Sequence, residues 1–558
     1  MVPSAFVVLE QLPLTPNGKV DRKGLPSPDM SLQQKSYVAP TTETEKLLCE
    51  IWQEVLGLER IGITDNFFAL GGHSLLVMKI ISTVQQQGFS LTAKEFFSAA
   101  VLSDLAYQLT MNSVNVLPAF IVPENLIPDD CLAITPEMLP LISLTQTDIE
   151  DIAKKVPGGM VNIQDIYPLG PLQEGILFTH LLSDGNDPYI LSSALTISSK
   201  VMLDDFLSVL QLMVNRHDVL RTAIIQEGLE SPAQVVCRHA ELPVQWLTVK
   251  DDATAEMSVL AEGKQRMDLT QAPLLQVKVM AAQDASLYHV LLQFHHVISD
   301  HVALEVIQEE FSHHLAGTFD SLPAPLPYRN FIAHTLQQAS THDASDYFTH
   351  YLDGVDEPTL PFDLSDIQGD GSRIVELREH VPAGVATQIR DLSRSLQLSP
   401  ASIFHSAFGL VVAACSGRED VVFGTVMSGR LQGVDGGERM LGVFINTLPV
   451  RLAAAGRSVI DLVRQTQEVL RDLLPFEQTP LALAQRCSGL SNSGPLFSAM
   501  LNYRHNMSEV KPDIDEEVEV ASIEGKVDAS VDIDRVMAYM QTALVRLVDC
   551  LMSCPDKP

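Results

Sequence analysis

Two stretches of this sequence combine side chains and spacings suited to chemistry. In Asp65-Asn-Phe-Phe-Ala-Leu-Gly-Gly-His-Ser74-Leu-Leu, a serine follows two glycines at the start of a segment with helical spacing. A hydroxyl there is accessible, and the free N–H groups and dipole of a helix start favour a phosphate attached to it. Gly71 and Gly72 let a modifying enzyme approach closely. An ordinary serine N-cap would show the same pattern. The second stretch is His295-His296-Val-Ile-Ser-Asp300, at the end of the apolar run Leu287 to Phe294. Two imidazoles where a strand leaves a sheet can face a cleft and exchange protons near neutral pH. A carboxylate four residues on can fix the loop or orient an imidazole. Hydrogen-bonded structural histidines are the alternative, and zinc would need a third ligand such as His301 or Glu305.

The elements that must hold these residues follow from the apolar spacing. Thr42 with Glu45 fits a capping box, and Leu47, Leu48, Ile51, Trp52, Val55 and Leu56 recur at helical spacing before Gly57. Further helices are expected from Ser74 to about Gln87 and from Ser103 to about Leu109, closing a small helical unit. Residues 113 to 136 carry Pro118, Pro123, Pro128 and Pro136 without a period, as in an ordered linker. Beyond residue 140 the elements alternate. Phe206, Leu207, Leu210, Met213 and Val214 form a helix stripe, Leu287 to Phe294 a strand, Val302 to Leu315 a helix and Val421 to Val426 a strand, an α/β or α+β class.

A chain of 558 residues exceeds one ordinary core, and 46% hydrophobic residues point to packed domains. With 37 Lys and Arg against 70 Asp and Glu, the formal charge of −33 argues against nucleic acid as a partner. Seven cysteines without a CxxC pair suit a reducing compartment. No run of 18 apolar residues and no signal-peptide pattern occurs, so a cytoplasmic protein with no membrane partner is expected.

The stretch from about 40 to 111 resembles a peptidyl carrier protein. The signature DNFFxLGGHSL is matched by Asp65, Asn66, Phe67, Phe68, Leu70, Gly71, Gly72, His73, Ser74 and Leu75. The resemblance implies that Ser74 carries 4'-phosphopantetheine, installed by a separate phosphopantetheinyl transferase, with His73 as its usual neighbour. Leu12-Pro-Leu-Thr-Pro-Asn-Gly-Lys-Val-Asp21 resembles the last motif of an adenylation domain, whose other parts are absent, so an upstream adenylation domain is an expected partner.

From about 140 onward the chain resembles the condensation-domain family of non-ribosomal peptide synthetases. Five ordered motifs carry the likeness: Tyr167-Pro-Leu-Gly-Pro-Leu-Gln173-Glu-Gly, Arg216-His-Asp-Val-Leu-Arg-Thr222, His295-His-Val-Ile-Ser-Asp300, Tyr328-Arg-Asn-Phe and Gly442-Val-Phe-Ile-Asn-Thr-Leu-Pro449. The implied architecture is a small all-α four-helix carrier bundle followed by an α/β, two-lobed, chloramphenicol-acetyltransferase-like condensation domain. The boundaries expected are residues 1–36 for an adenylation tail and linker, 37–112 for the carrier, 113–138 for a linker and 139–558 for the condensation domain. The family's logic puts His296 at the amide-forming centre with His295 beside it, Asp300 holding the loop and Asn446 as a secondary candidate. The donor would ride on Ser74 and the acceptor on a downstream carrier domain.

A finer resemblance is to the dual epimerisation/condensation subclass. It rests on Gly158 to Tyr167, on His301 where other members have glycine, and on Leu481 to Gly489 with Leu501-Asn-Tyr-Arg-His505. The subclass motif HH(I/L)xxxxGD is matched at His180, Leu181 and Asp187, while Thr179 and Asn186 depart from it. Epimerisation would need a base for the donor α-proton, with His296 or His295 as candidates. A coenzyme A acyltransferase and a non-catalytic carrier-docking module are the competing readings.

Overall fold

The computed structural model describes residues 37–67, 70, 72, 76–77, 80–81, 83–84, 87, 89, 91–112, 120–182, 187–247, 266–281, 287–365, 373–430, 436–490, 494–504 and 522–556. The adenylation-like segment 1–36, His73, Ser74 and His505 lie outside them. Two compact units divide the chain between Ala119 and Phe120.

In the first unit, helix α1 (Glu43–Leu56) starts at the capping box foreseen for Thr42 and Glu45 and ends on Gly57 at φ 65°. Its inner face buries Leu48, Ile51 and Trp52. Helical residues between Leu76 and Val84 contribute Val77, Ile80, Ile81 and Val84 to the same core. Two shorter helices complete the bundle, α2 (Ala93–Ser98) and α3 (Leu102–Asn112). Helix α2 is too short, at six residues, to show an apolar period in the sequence. Its signal was the Thr92/Glu95 capping box. Trp52, Phe67 and Phe96 meet at centroid distances of 5.0 to 6.0 Å. Asp65 closes the preceding turn by accepting the Gly62 N–H at 2.8 Å. A Cβ on Gly72 would stand 2.3 Å from the Phe67 ring, so only glycine lets the turn ahead of residue 74 pack on this core.

The second unit has a mixed α/β architecture. Residues 120 to 138 pack into it: Ile127, Cys131 and Ile134 share a core with Ile149 and Ile152 of α4 (Gln146–Lys155) and with strands β1 (Ile163–Pro168), β3 (Thr222–Ile225) and β4 (Ala233–Cys237). These three strands form a sheet in the order β1-β4-β3. A four-stranded sheet follows the order β2-β7-β6-β5, built from β2 (Ile190–Ile197), β5 (Val244–Leu247), β6 (Leu275–Ala281) and β7 (Tyr288–His295). Strand β7 is paired on both sides, which suits its apolar run, and its register sets His295 opposite Ile190.

Helices α5 (Pro171–Leu182), α6 (Lys200–Arg216), α7 (His301–Leu315) and α8 (Arg329–Thr341) supply many of the side chains of a large core with the four-stranded sheet. The Arg216 to Thr222 motif serves this scaffold. Arg216 and His217 bond Glu310 on α7 at 3.1 and 2.9 Å, and Asp218 accepts the Tyr328 N–H at 3.0 Å.

The remaining part of this unit packs α10 (Ala383–Leu396), α11 (Pro400–Ser416), α12 (Val459–Leu473) and α14 (Ile533–Ser553), after the short α9 (Ala344–Tyr351) and with α13 (Leu481–Arg486) between. Its sheets are β10-β9-β11 and β12-β8, from β8 (Ile374–His380), β9 (Asp420–Met427), β10 (Asn446–Ala453), β11 (Met500–Leu501) and β12 (Ser522–Asp528). No helix among the described residues is long and apolar enough to cross a membrane.

Candidate active site

The end of β7 positions the two histidines. His295 is the last strand residue and is fully buried. The chain then turns, with Val297 and Ile298 fully buried in the core behind it. Burying each of these side chains contributes about 1.5–3 kcal/mol, enough to pin the loop. Gln173 reinforces it, donating to the Val297 carbonyl at 2.7 Å. His296 is left half-buried. Its N–H donates to the Tyr189 carbonyl at 2.8 Å, and its Nδ1 is buried without a hydrogen-bond partner among the described residues. An orphaned buried nitrogen in a native fold points to function or an absent partner.

His295 is held quite differently. Its Nδ1 accepts the Val297 N–H at 3.1 Å, so its proton sits on Nε2, which donates to Asp187 Oδ2 at 3.0 Å. Burial, opposed by Asp187, keeps its pKa below the usual imidazole value, so the ring stays neutral. His180, on the last turn of α5, is also buried. Arg266 Nε donates to its Nε2 at 3.1 Å, so its proton is on Nδ1, 2.5 Å from Asp187 Oδ2. Burial would raise the Asp187 pKa. Hydrogen bonds from His180, His295 and the Tyr189 N–H outweigh that and hold it well below the usual carboxylate range.

The ligand atoms of His180, Asp187 and His295 lie within 4.8 Å of one another, as a metal site would require. The proton positions oppose that use. Both ring nitrogens facing Asp187 carry hydrogen because a backbone N–H and a guanidinium occupy the opposite ring nitrogens. The cluster is therefore a carboxylate clamped by two imidazole N–H groups. His180 and Arg266 also line a cleft of about 770 Å3 floored by Leu177, Ile224, Met267 and Leu269.

Asp300 does not orient either histidine. It caps α7 by accepting the Ala303 N–H at 3.0 Å and pairs with Arg430 at 2.9 and 3.1 Å. Arg430 also donates to the Gly437 and Met440 carbonyls, and its guanidinium stands 3.9 Å above the Phe444 ring. The Asp300 N–H donates to the Gly442 carbonyl at 3.2 Å. The loop after β9 is thereby tied to the start of α7. His301 follows on the first turn of α7, half-buried, with burial lowering its pKa. It is not part of the histidine cluster.

Asn446 opens β10, buried, and donates to the Glu477 and Thr479 carbonyls at 2.8 and 2.7 Å. Both of its donor hydrogens are spent on backbone, a packing role. Ser74 lies outside the described residues. Sequence reasoning did not single out Arg430, Arg266 or Tyr189, which stand outside any chemical motif, and it matched Asp187 only as part of the subclass signature.

The condensation-domain model matches residues 163–537, and the phosphopantetheine attachment site model matches residues 46–108. The chain is similar over its whole length to malpibaldin synthetase of Mortierella alpina, at 40% identity, and covers 10% of that protein. It is 31% identical to tyrocidine synthase 3 of Brevibacillus parabrevis over 81% of the chain and 6% of that protein. The chain thus spans a tenth or less of the length of these curated relatives. Among solved structures, a four-domain nonribosomal peptide synthetase bound to AMP and glycine matches with a TM-score of 0.57, at 15% identity, over 71% of this chain and 33% of that one. The condensation domain of a monacolin K polyketide synthase matches with a TM-score of 0.54, at 18% identity, over 71% of this chain and 99% of that one. The chain belongs to the condensation-domain family and carries, ahead of that domain, an attachment domain for covalent 4'-phosphopantetheine, in the arrangement of the peptide synthetases it resembles.

Proposed function

We propose that this chain forms peptide bonds, joining a donor acyl group held as a thioester at Ser74 to the α-amine of an acceptor on a downstream carrier domain. A 4'-phosphopantetheine attached at Ser74 would supply the thiol that holds the acyl group as a thioester. The amine nitrogen attacks the thioester carbonyl, a C–N bond forms, the C–S bond breaks, and the thiol leaves with a proton. The amine must lose a proton as the new bond forms, and a positioned imidazole that accepts it is worth about 10²- to 10⁴-fold in rate.

The observation that carries the reading is the contrast between the two histidines. His295 has both ring nitrogens engaged, whereas His296 is half-buried and its Nδ1 has no partner among the described residues. With Nδ1 buried, Nε2 is the nitrogen of His296 that meets the amine. Asp300, paired with Arg430, holds the end of the loop, and Gln173 holds the Val297 carbonyl. An upstream adenylation domain would load the donor, and a phosphopantetheinyl transferase would install the arm.

A second reading is that the donor residue is epimerised before condensation. What favours it is that His180 and Asp187, matched from the subclass motif, lie against His295. His296 would remove the donor α-proton, made acidic by the thioester. Deuterium at the donor α-carbon should then wash out of a loaded chain, and full retention excludes this reading.

Mass spectrometry of product tests the main proposal, using the chain with a peptidyl-pantetheine donor on Ser74 and an aminoacyl acceptor carrier. An extended peptide is expected with the wild type and should be lost with His296→Ala. No product from several well-loaded pairs would favour a docking module instead.

A further inference from the structure

Asp187 stands where three segments meet: the end of α5, the start of β2 and the end of β7. Its Oδ2 accepts from His180 at 2.5 Å and from His295 at 3.0 Å, while its Oδ1 accepts the Tyr189 N–H at 3.0 Å. The Tyr189 carbonyl accepts the N–H of His296 at 2.8 Å. One buried carboxylate is therefore connected to both loop histidines, to His295 through its side chain and to His296 through the backbone.

We infer that Asp187, with His180 as its second clamp, is a positioning residue for the amide-forming centre: it holds His295 as the Nε2–H tautomer and, through Tyr189, sets where His296 stands. This rests on the reading of His296 as the reacting group. Three N–H donors converge on the two carboxylate oxygens, and a carboxylate can receive all of them because it only accepts. An amide in its place has one accepting oxygen, and its NH2 must face one of the three N–H groups. The backbone at Tyr189 or the His295 ring then has to shift. His296 moves with either, since it follows His295 in the chain and bonds Tyr189. Arg266 completes the device by holding His180 Nε2 as an acceptor, which keeps the Nδ1 proton aimed at Asp187. Because His180 and Arg266 line the 770 Å3 cleft, this outer end of the network faces a space where a substrate group could lie.

The test uses the full chain with loaded donor and acceptor carriers, comparing Asp187→Asn, His180→Gln and the double variant. The rate at saturation should fall about 100-fold in Asp187→Asn and about tenfold in His180→Gln, with the acceptor KM within about twofold, as for a misplaced reacting group. The double variant should be no slower than Asp187→Asn, because the two residues act as one unit. In parallel, NMR of the 15N-histidine-labelled chain should show His295 protonated at Nε2 and bare at Nδ1 between about pH 6 and 8, with that signature lost in Asp187→Asn. An unchanged rate in Asp187→Asn overturns the inference, and so does a slower rate with the His295 signature intact. Should Asp187→Asn fail to fold, His180→Gln carries both readouts. If the wild type forms no amide, the reading of His296 falls, and the His295 signature still decides whether Asp187 clamps it.

Discussion

At the scale of single residues, buried ionisable groups differ in how their charge is handled. Asp300 and Arg430 form a buried ion pair supported by an N-cap and backbone carbonyls, so its members are interdependent. Arg430→Ala strands a buried carboxylate and is expected to cost about 3–5 kcal/mol in chemical denaturation. Glu477 is fully buried, and burial, opposed only in part by a hydrogen bond from the Gly429 backbone, pushes its pKa up to about 8 from 4.5. Its raised pKa makes the folded state bind the extra proton. That stability is whole below pH 4.5 and is lost as pH rises towards 8. Glu477→Gln should therefore flatten the fall in unfolding free energy between about pH 6 and 8, a gain on the order of 2 kcal/mol at the upper end. His405 has the opposite sign. Burial lowers its pKa to about 4 from 6.5, so stability falls as pH drops below 6.5 while the unfolded chain takes up a proton the fold refuses. Unfolding of His405→Gln, if it folds, should lose that acid sensitivity between about pH 4 and 6.5.

At the scale of elements, Arg430 and Gly442, between β9 and β10, tie the sheet whose strand β10 starts at Asn446 to the helix that starts at His301. Gly429 makes the first turn after β9 at φ 65°, where a Cβ would stand 1.7 Å from the Phe444 carbonyl oxygen. Gly442 lies at φ 146°, where a Cβ would meet the Tyr328 ring at 2.2 Å. Neither clash is with a flexible side-chain end. Gly429→Ala is thus expected to destabilise by about 2–4 kcal/mol through overpacking and backbone strain, read from urea midpoints. The proposed condensation should fall with it, since Arg430, the next residue, would lose its alignment with Asp300. The periodicity of β7 and α7 showed where the histidine loop begins and ends. It could not show that Gln173, some 124 residues away in sequence, grips the Val297 carbonyl.

At the scale of the whole molecule, each of the two compact units has a core of its own: Trp52, Phe67 and Phe96 in one, and the clusters around Tyr328, Phe444 and Leu544 in the other. Separate cores predict two calorimetric transitions. Thr42→Ala removes the N-cap of α1 and should weaken the carrier unit by about 1 kcal/mol, lowering one transition and leaving the other in place. A single transition lowered by this substitution would show instead that the units unfold together.

Local order determined much of this protein from sequence alone. Capping boxes, apolar periods and contiguous motifs are short-range patterns, so the carrier bundle, the strand and helix flanking His295 to Asp300, and the family itself could be read from residues near one another in the chain. Tertiary structure alone decided which side chains meet. Asp300 pairs with Arg430 rather than with a histidine, and Asp187, over a hundred residues before His295, is the carboxylate that holds the ring. Asn446 turns its amide to two carbonyls. The physical reason is that a buried polar group must find its partner wherever the packed core brings one within hydrogen-bond distance, and separation along the chain says nothing about that distance.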